Sequence, residues 1–325
     1  MQFICKVKSI IVLCLISVIV PDSVVLADCL KCNQKDIVVG LLSTKFPTYP
    51  NEDKTAAEIT QLLQSYRVRV VLMDYNVLME SVKGEIIKRN KSYVGQNYQV
   101  SRYSIIEDVV EEFIKNNRIN RILIPGNYYN ISSFPISPSL DRQLVTNAIV
   151  QIVNKNNCIH LFGICGGFQG IMDASGVKIR RVDSMLSSQI SVASHRISMP
   201  NPRNVDANLH KIIVFSHNRL SGILNDLNDG LNKSTQVIYL PDAHSEAVDN
   251  SIENIEKIYS LGYKIVALSE DGIIEAIEDK YGNIYVQFHP EYLLVNVEKK
   301  RLNNIGMDTS IMVADAIMRD FLFRD

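Results

Sequence analysis

The sequence predicts an α/β protein built on a mostly parallel sheet with helices on both faces. Two observations carry this. Short apolar runs bounded by polar residues alternate along the chain with segments of helical periodicity. The runs also lack the polar alternation of a half-exposed strand, as expected where both faces of a strand are covered. The 325 residues are 46% hydrophobic with 15 Gly and 10 Pro, an ordinary globular balance. Lys+Arg 34 against Asp+Glu 35 leaves a formal net charge of -1, so no electrostatic footprint for nucleic acid exists.

The elements follow in order. Asp36 to Leu41 reads as a buried strand, and a polar loop with Pro47 and Pro50 leads to a helix from about Lys54. In that helix Ala57, Ile59, Leu62 and Leu63 stand at helical spacing. Val68 to Met73 is the next strand, Ile105 to Ile114 a helix, and Arg121 to Ile124 a strand. From Ser139, Leu140, Leu144, Ala148 and Ile152 recur every four residues and predict a helix with one buried stripe. Ile159 to Phe162 is a further strand. An irregular insertion is expected near 171–240, with Ile212 to Phe215 a strand inside it. Tyr263 to Leu268 and Ile273 to Ile277 read as strands joined by a turn at Asp271-Gly272. Ile284 to Phe288 is the last strand and Ile311 to Phe323 a closing helix. A single domain over 28–325 fits this pattern.

Residues 1–27 read as an export signal. Lys6 and Lys8 form a positive start, Ile10 to Val20 an apolar run, and Val25-Leu26-Ala27 a small-residue cleavage site. The expected location is therefore the periplasm or the extracellular space, with no stable membrane insertion after cleavage. The alternative is an uncleaved N-terminal anchor. Cys29 and Cys32 form one C-x-x-C. No second pair follows at zinc-ligand spacing, so a local disulfide or two idle thiols is expected.

The chemistry concentrates in two places. Phe162-Gly163-Ile164-Cys165-Gly166-Gly167-Phe168-Gln169-Gly170 follows a buried strand and should open a helix. Glycines two before and two after Cys165 permit a sharp turn that raises the thiol at the strand's C-terminal end. A helix N-terminus beneath the sulfur favours the thiolate, and the Gly166 N–H is placed for an oxyanion hole. A thiol nucleophile needs a base and the base an orienter. Gln287-Phe288-His289-Pro290-Glu291-Tyr292 follows the last strand. In an extended segment His289 and Glu291 would point to the same side, so Glu291 can hold one ring nitrogen and free the other for Cys165.

This pair of motifs resembles the class I glutamine amidotransferase-like superfamily, and within it the γ-glutamyl hydrolase branch, which includes γ-glutamyl-γ-aminobutyrate hydrolases. Ile122-Leu123-Ile124-Pro125-Gly126 resembles the strand leading into the family's oxyanion loop, and Asp141-Arg142 its following helix. His244-Ser245-Glu246-Ala247-Val248 and Ser269 to Ala276 resemble the approach to His-Pro-Glu. The resemblance implies a three-layer flavodoxin-like fold and a Cys165–His289–Glu291 triad. It also implies oxyanion donors at Gly166 and the Gly126–Asn127 loop, and Gln169 and His244 near the substrate. The implied activity is hydrolysis of γ-glutamyl amides through a thioester, with a small γ-glutamyl substrate as partner and no cofactor. A glutaminase subunit delivering ammonia to a partner and an inactive binding protein are the alternatives. Oligomeric state stays open, a homo-oligomer included.

One departure stands out. The family has a second Gly where this chain has Asn127, and an acidic residue where it reads Tyr128-Tyr129-Asn130. Asn tolerates positive φ better than most residues. No metal site is expected: His195, His210 and His217 lack ligand spacing and predict surface or loop roles, and His160 a satisfied core residue. A Cys158–Cys165 disulfide would need a bend that the pattern does not suggest.

Overall fold

The computed structural model describes residues 36–46, 52–92, 101–133, 140–156, 158–196, 209–227, 235–298 and 308–324. The expected export signal, Cys29 and Cys32 lie outside these residues. Among the described residues no helix is long and apolar enough to cross a membrane.

The first half of the chain winds β1 (Val38–Ser43), α1 (Glu52–Ser65), β2 (Arg69–Asp74), α2 (Tyr75–Ser92), α3 (Arg102–Asn117), β3 (Arg121–Ile124), α4 (Leu140–Lys155), β4 (His160–Ile164) and α5 (Gly166–Ala174). Then come β5 (Ile179–Arg181), α6 (Val182–Met185), α7 (Gln189–Ser194), β6 (Leu209–Phe215), α8 (Arg219–Leu227), β7 (Thr235–Pro241) and β8 (Glu246–Val248). The chain closes with α9 (Ile252–Ser260), β9 (Lys264–Ser269), β10 (Ile274–Glu278), β11 (Ile284–Val286), α10 (Pro290–Glu298) and α11 (Asp308–Phe323).

Nine strands form one sheet in the order β2-β1-β3-β4-β11-β10-β9-β6-β7, and β5 pairs with β8 apart from it. The pairs from β2 to β11 are parallel, whereas β11–β10, β10–β9, β9–β6 and β6–β7 are antiparallel. The sheet is thus mixed, with most strands running one way. The expected turn joins β9 to β10, and Gly272 sits in it at φ +87°, where a side chain would be strained.

Strand alternation divides the core into two layers. Val39, Leu41, Leu123 and Phe162 pack with α1, α8, α10 and α11. Their neighbours Val38, Leu42, Ile122 and Leu161 pack with α2, α3, α4 and α5 on the other face. The three-layer α/β architecture expected of a flavodoxin-like fold is therefore present. α2 escaped the sequence reading, although Leu78, Met79 and Val82 bury its inner face at helical spacing. In α4 Ala148 and Ile152 are buried as expected, but Leu140 is 66% exposed, and Val145 and Ile149 join the core face.

Candidate active site

Parallel pairing brings the two motifs together. β11 lies beside β4 with Tyr285 opposite Gly163 and Val286 opposite Ile164. Both strands therefore release their chains at the same edge, the C-terminal one where ligands bind open α/β sheets. The Cys165 N–H donates to the Val286 carbonyl at 2.7 Å, locking the two exits side by side.

Cys165 occupies the turn between β4 and α5 at φ 49°, ψ -111°. That is a sparsely populated conformation for a residue with a Cβ and stores strain at the turn. The flanking glycines make it attainable. A Cβ on Gly167 would stand 1.9 Å from the Ile124 carbonyl oxygen, and one on Gly163 would stand 2.5 Å from Ile171 Cδ1. Cys165 is a free thiol and buried. Cys158 is disulfide-bonded, and not to Cys165.

His289 Nδ1 lies 2.7 Å from Glu291 Oε1, and the ring interacts electrostatically with the Cys165 thiol. With Nδ1 committed to Glu291, Nε2 is the nitrogen left for the thiol. The local reason differs from the extended segment expected. Pro290 begins α10, and Glu291 sits in its first turn. Pro suits that first position because its missing N–H has no helical partner. Burial opposes the His289 imidazolium, yet Glu291 and Cys165 outweigh it and hold the ring's pKa well above the ordinary value. All three side chains are buried.

Around the expected oxyanion donors, a Cβ on Gly126 would fall 2.8 Å from His289 Cε1, and one on Gly166 would fall 3.0 Å from the Asn127 nitrogen. The two backbones thus approach closely around the thiol. Asn127 is not among the described residues at positive φ, so the loop does not draw on the tolerance expected of Asn there. Its Oδ1 accepts the Tyr129 N–H at 3.0 Å and shapes the turn instead. The strand end is held by Arg142, whose Nη2 donates to the Pro125 carbonyl at 2.7 Å. The loop beyond is held by Glu246. Its carboxylate accepts the Ile131 N–H at 2.6 Å and the Ser132 and Ser133 hydroxyls at 2.7 and 2.6 Å. Glu246 supplies from β8 an acid that the local sequence at 128–130 lacks.

Gln169, on α5, donates to the Glu246 carbonyl at 2.6 Å and to Gln287 Oε1 at 3.1 Å. It therefore braces the segment that carries His289. His244 joins a second cluster. Its Nδ1 donates to the Glu246 carbonyl at 2.8 Å, and its Nε2 lies 2.9 Å from Asp242 Oδ2.

His195 and His210 correct the expectation of surface or loop roles. His195 is fully buried, with Nδ1 3.1 Å from Asp242 Oδ2 and 3.2 Å from His244 Nε2. His210 stacks on it with ring centroids 4.6 Å apart. Their separation along the chain hid this grouping. Burial works against a charge on His195, but hydrogen bonds to Asp242 and Asp271 raise its pKa to about 10. Glu275, from β10, completes the cluster. Burial and then the nearby Asp242 raise its pKa well above the usual carboxylate value. A charged residue inside the apolar run Ile273 to Ile277 was the signal available for it. His160 is the core residue expected, its Nδ1 accepting from Arg324 Nε at 2.8 Å.

The family model for class-I glutamine amidotransferases matches residues 77–308, and the chain belongs to that family. Among solved structures it is similar to SMU.1228c, with 12% identity, a TM-score of 0.46, and 89% of this chain and 99% of that one covered. It is also similar to a glutamine amido transferase from Methylobacillus flagellatus, with 11% identity, a TM-score of 0.43, and 90% and 96% covered. No curated protein matches the sequence.

Proposed function

We propose that the protein is a thiol hydrolase of γ-glutamyl amide bonds, with Cys165, His289 and Glu291 as its triad. The observation that carries this is Cys165 held at a strained strand-to-helix turn beside an imidazole that Glu291 orients.

The chemistry runs in two halves. The Cys165 sulfur attacks the γ-carbonyl carbon, and the oxyanion that forms takes backbone N–H groups of Gly166 and the Gly126–Asn127 loop. His289 gives its proton to the leaving amine, which departs and leaves a γ-glutamyl thioester. Water then attacks the thioester while His289 takes its proton, and glutamate leaves as the thiolate is restored. The raised pKa of His289 suits the first half, because the ring starts protonated.

The family match supports a second reading, in which glutamine is the substrate and ammonia passes to a partner. Export to an oxidising compartment belongs to the first reading. The residues at 1–27 and the disulfide at Cys158 favour it, since such bonds persist where thiols are not kept reduced.

Glutamate release from glutamine, γ-glutamyl-γ-aminobutyrate and a γ-glutamyl peptide tests both. The expected result is turnover of γ-glutamyl amides that disappears in Cys165→Ala. Turnover of glutamine alone would favour the ammonia-delivering reading. A folded protein, with Cys165 reduced, that hydrolyses no member of the panel would leave a binding protein on the same fold.

A further inference from the structure

The geometry points to a second site in this molecule, a closed binding site for a zinc-like divalent cation formed by His195, Asp242, His244 and Glu275. All four side chains are buried, and one ligand atom from each lies within 4.8 Å of every other.

The spacing suits a tetrahedral ion. Ligand atoms 2.0–2.1 Å from zinc at tetrahedral angles stand about 3.3–3.4 Å apart. Here His195 Nδ1 is 3.2 Å from His244 Nε2, 3.1 Å from Asp242 Oδ2 and 3.7 Å from Glu275 Oε1. His244 Nε2 is 2.9 Å from Asp242 Oδ2. Two imidazoles and two carboxylates are a donor set zinc accepts.

Hydrogen-bond direction strengthens the case. The Glu246 carbonyl can only accept, so His244 Nδ1 carries a hydrogen. His195 Nε2 faces both oxygens of Asp271 at 3.1 and 3.2 Å and donates to them. The far nitrogen of each ring is thus spent on a carbonyl or carboxylate, the arrangement that turns the other nitrogen's lone pair toward a metal. Between the rings, both Glu275 carboxylate oxygens and Asp242 Oδ1 are buried with no hydrogen-bond partner. A buried carboxylate without a donor, as Glu275 is, is costly, and a divalent cation satisfies it together with the Asp242 carboxylate.

Four protein ligands leave no open position, which marks a structural rather than a catalytic metal. The ion would join the end of α7, the β7–β8 connection and β10. Two of these segments flank the proposed base: the His289 N–H donates to the Pro241 carbonyl, and the Gln287 N–H to the Glu275 carbonyl. The site does not depend on the activity proposed above.

Metal analysis of the chelator-treated full chain, followed by zinc titration and cobalt(II) substitution, tests it. Expected are one equivalent of zinc, a higher melting temperature on binding, and the intense visible bands of four-coordinate cobalt without a thiolate charge-transfer band. Cys29→Ser/Cys32→Ser should keep this equivalent, and Glu275→Gln should lose it. Asp271→Asn leaves all four ligands in place and should weaken zinc about 10- to 100-fold. No stoichiometric uptake by the folded wild type would overturn the site. So would a thiolate band, loss of zinc in the double cysteine variant, or uptake unchanged in both Glu275→Gln and Asp271→Asn.

Discussion

At the residue scale, glycines set the positions of the sulfur and the base by having no Cβ, but they do so for different reasons. Gly126 lies against the His289 ring, whereas Gly167 lies against the backbone of β3's exit. An added methyl at 126 would push the side chain of the proposed base, His289. One at 167 would push main chain that cannot yield locally. Gly126→Ala is therefore expected to keep the fold and lose about 10²-fold in kcat, the scale of a 1 Å misplacement. Gly167→Ala should instead cost stability, by about 1–3 kcal/mol or more. Glutamate release and urea unfolding on both variants check this. Equal activity in Gly126→Ala would mean that the ring is not held by this contact. The residues of the elbow and of His-Pro-Glu were legible because their signal is local: glycine at fixed offsets and a His two places before an acid. The start of α10 at Pro290 was not foreseen. Nor was Glu246, since its carboxylate serves a loop far away in sequence.

At the element scale, helix ends decide how the layers are joined. The last turn of α11 leaves carbonyls that no further helical N–H can reach. Arg121, buried at the start of β3, supplies donors to them. Its Nε reaches the Phe321 and Leu322 carbonyls at 3.0 and 3.1 Å, and its Nη2 reaches the Arg324 carbonyl at 2.7 Å. A cation at a helix C-terminus is also favoured by the helix dipole. Arg121→Met should lower unfolding free energy by about 3 kcal/mol, because several buried acceptors lose their donors together. An unchanged urea midpoint would show that the end of α11 finds other donors. The strand runs of β1, β3 and β4 were visible in the sequence, since fully buried strands leave continuous apolar stretches. The partner of Arg121 was invisible, because β3 and α11 meet only after the sheet is assembled.

At the scale of the whole molecule, the C-terminus is tied back to the sheet at His160. Arg324 donates to His160 Nδ1 and also bonds the Gly282 carbonyl and Asn283 Oδ1. Burial first, and then the Arg324 and Arg121 charges, lower the His160 pKa from 6.5 to about 3. In the unfolded chain the ring titrates at its ordinary value, so between about pH 6.5 and 3 the unfolded state binds more protons. Stability should therefore fall as the pH drops below 6.5, by at most about 1.4 kcal/mol per pH unit from this group. Urea midpoints at several pH values, with His160→Gln alongside, measure it. Equal slopes in the two proteins would remove His160 as the cause.

The sequence by itself determined the α/β layering, the sharp turn at Cys165 and the pairing of His289 with Glu291. Each of these is written in neighbouring residues: apolar runs, glycine offsets, a His two places before an acid. Only the tertiary structure decided how β4 and β11 set the two motifs side by side, and that His195, Asp242, His244 and Glu275 form one buried cluster. Those residues come from the C-terminal cap of α7, the β7–β8 connection and β10. A strand or helix pattern records which way a side chain faces, not which distant side chain it will face.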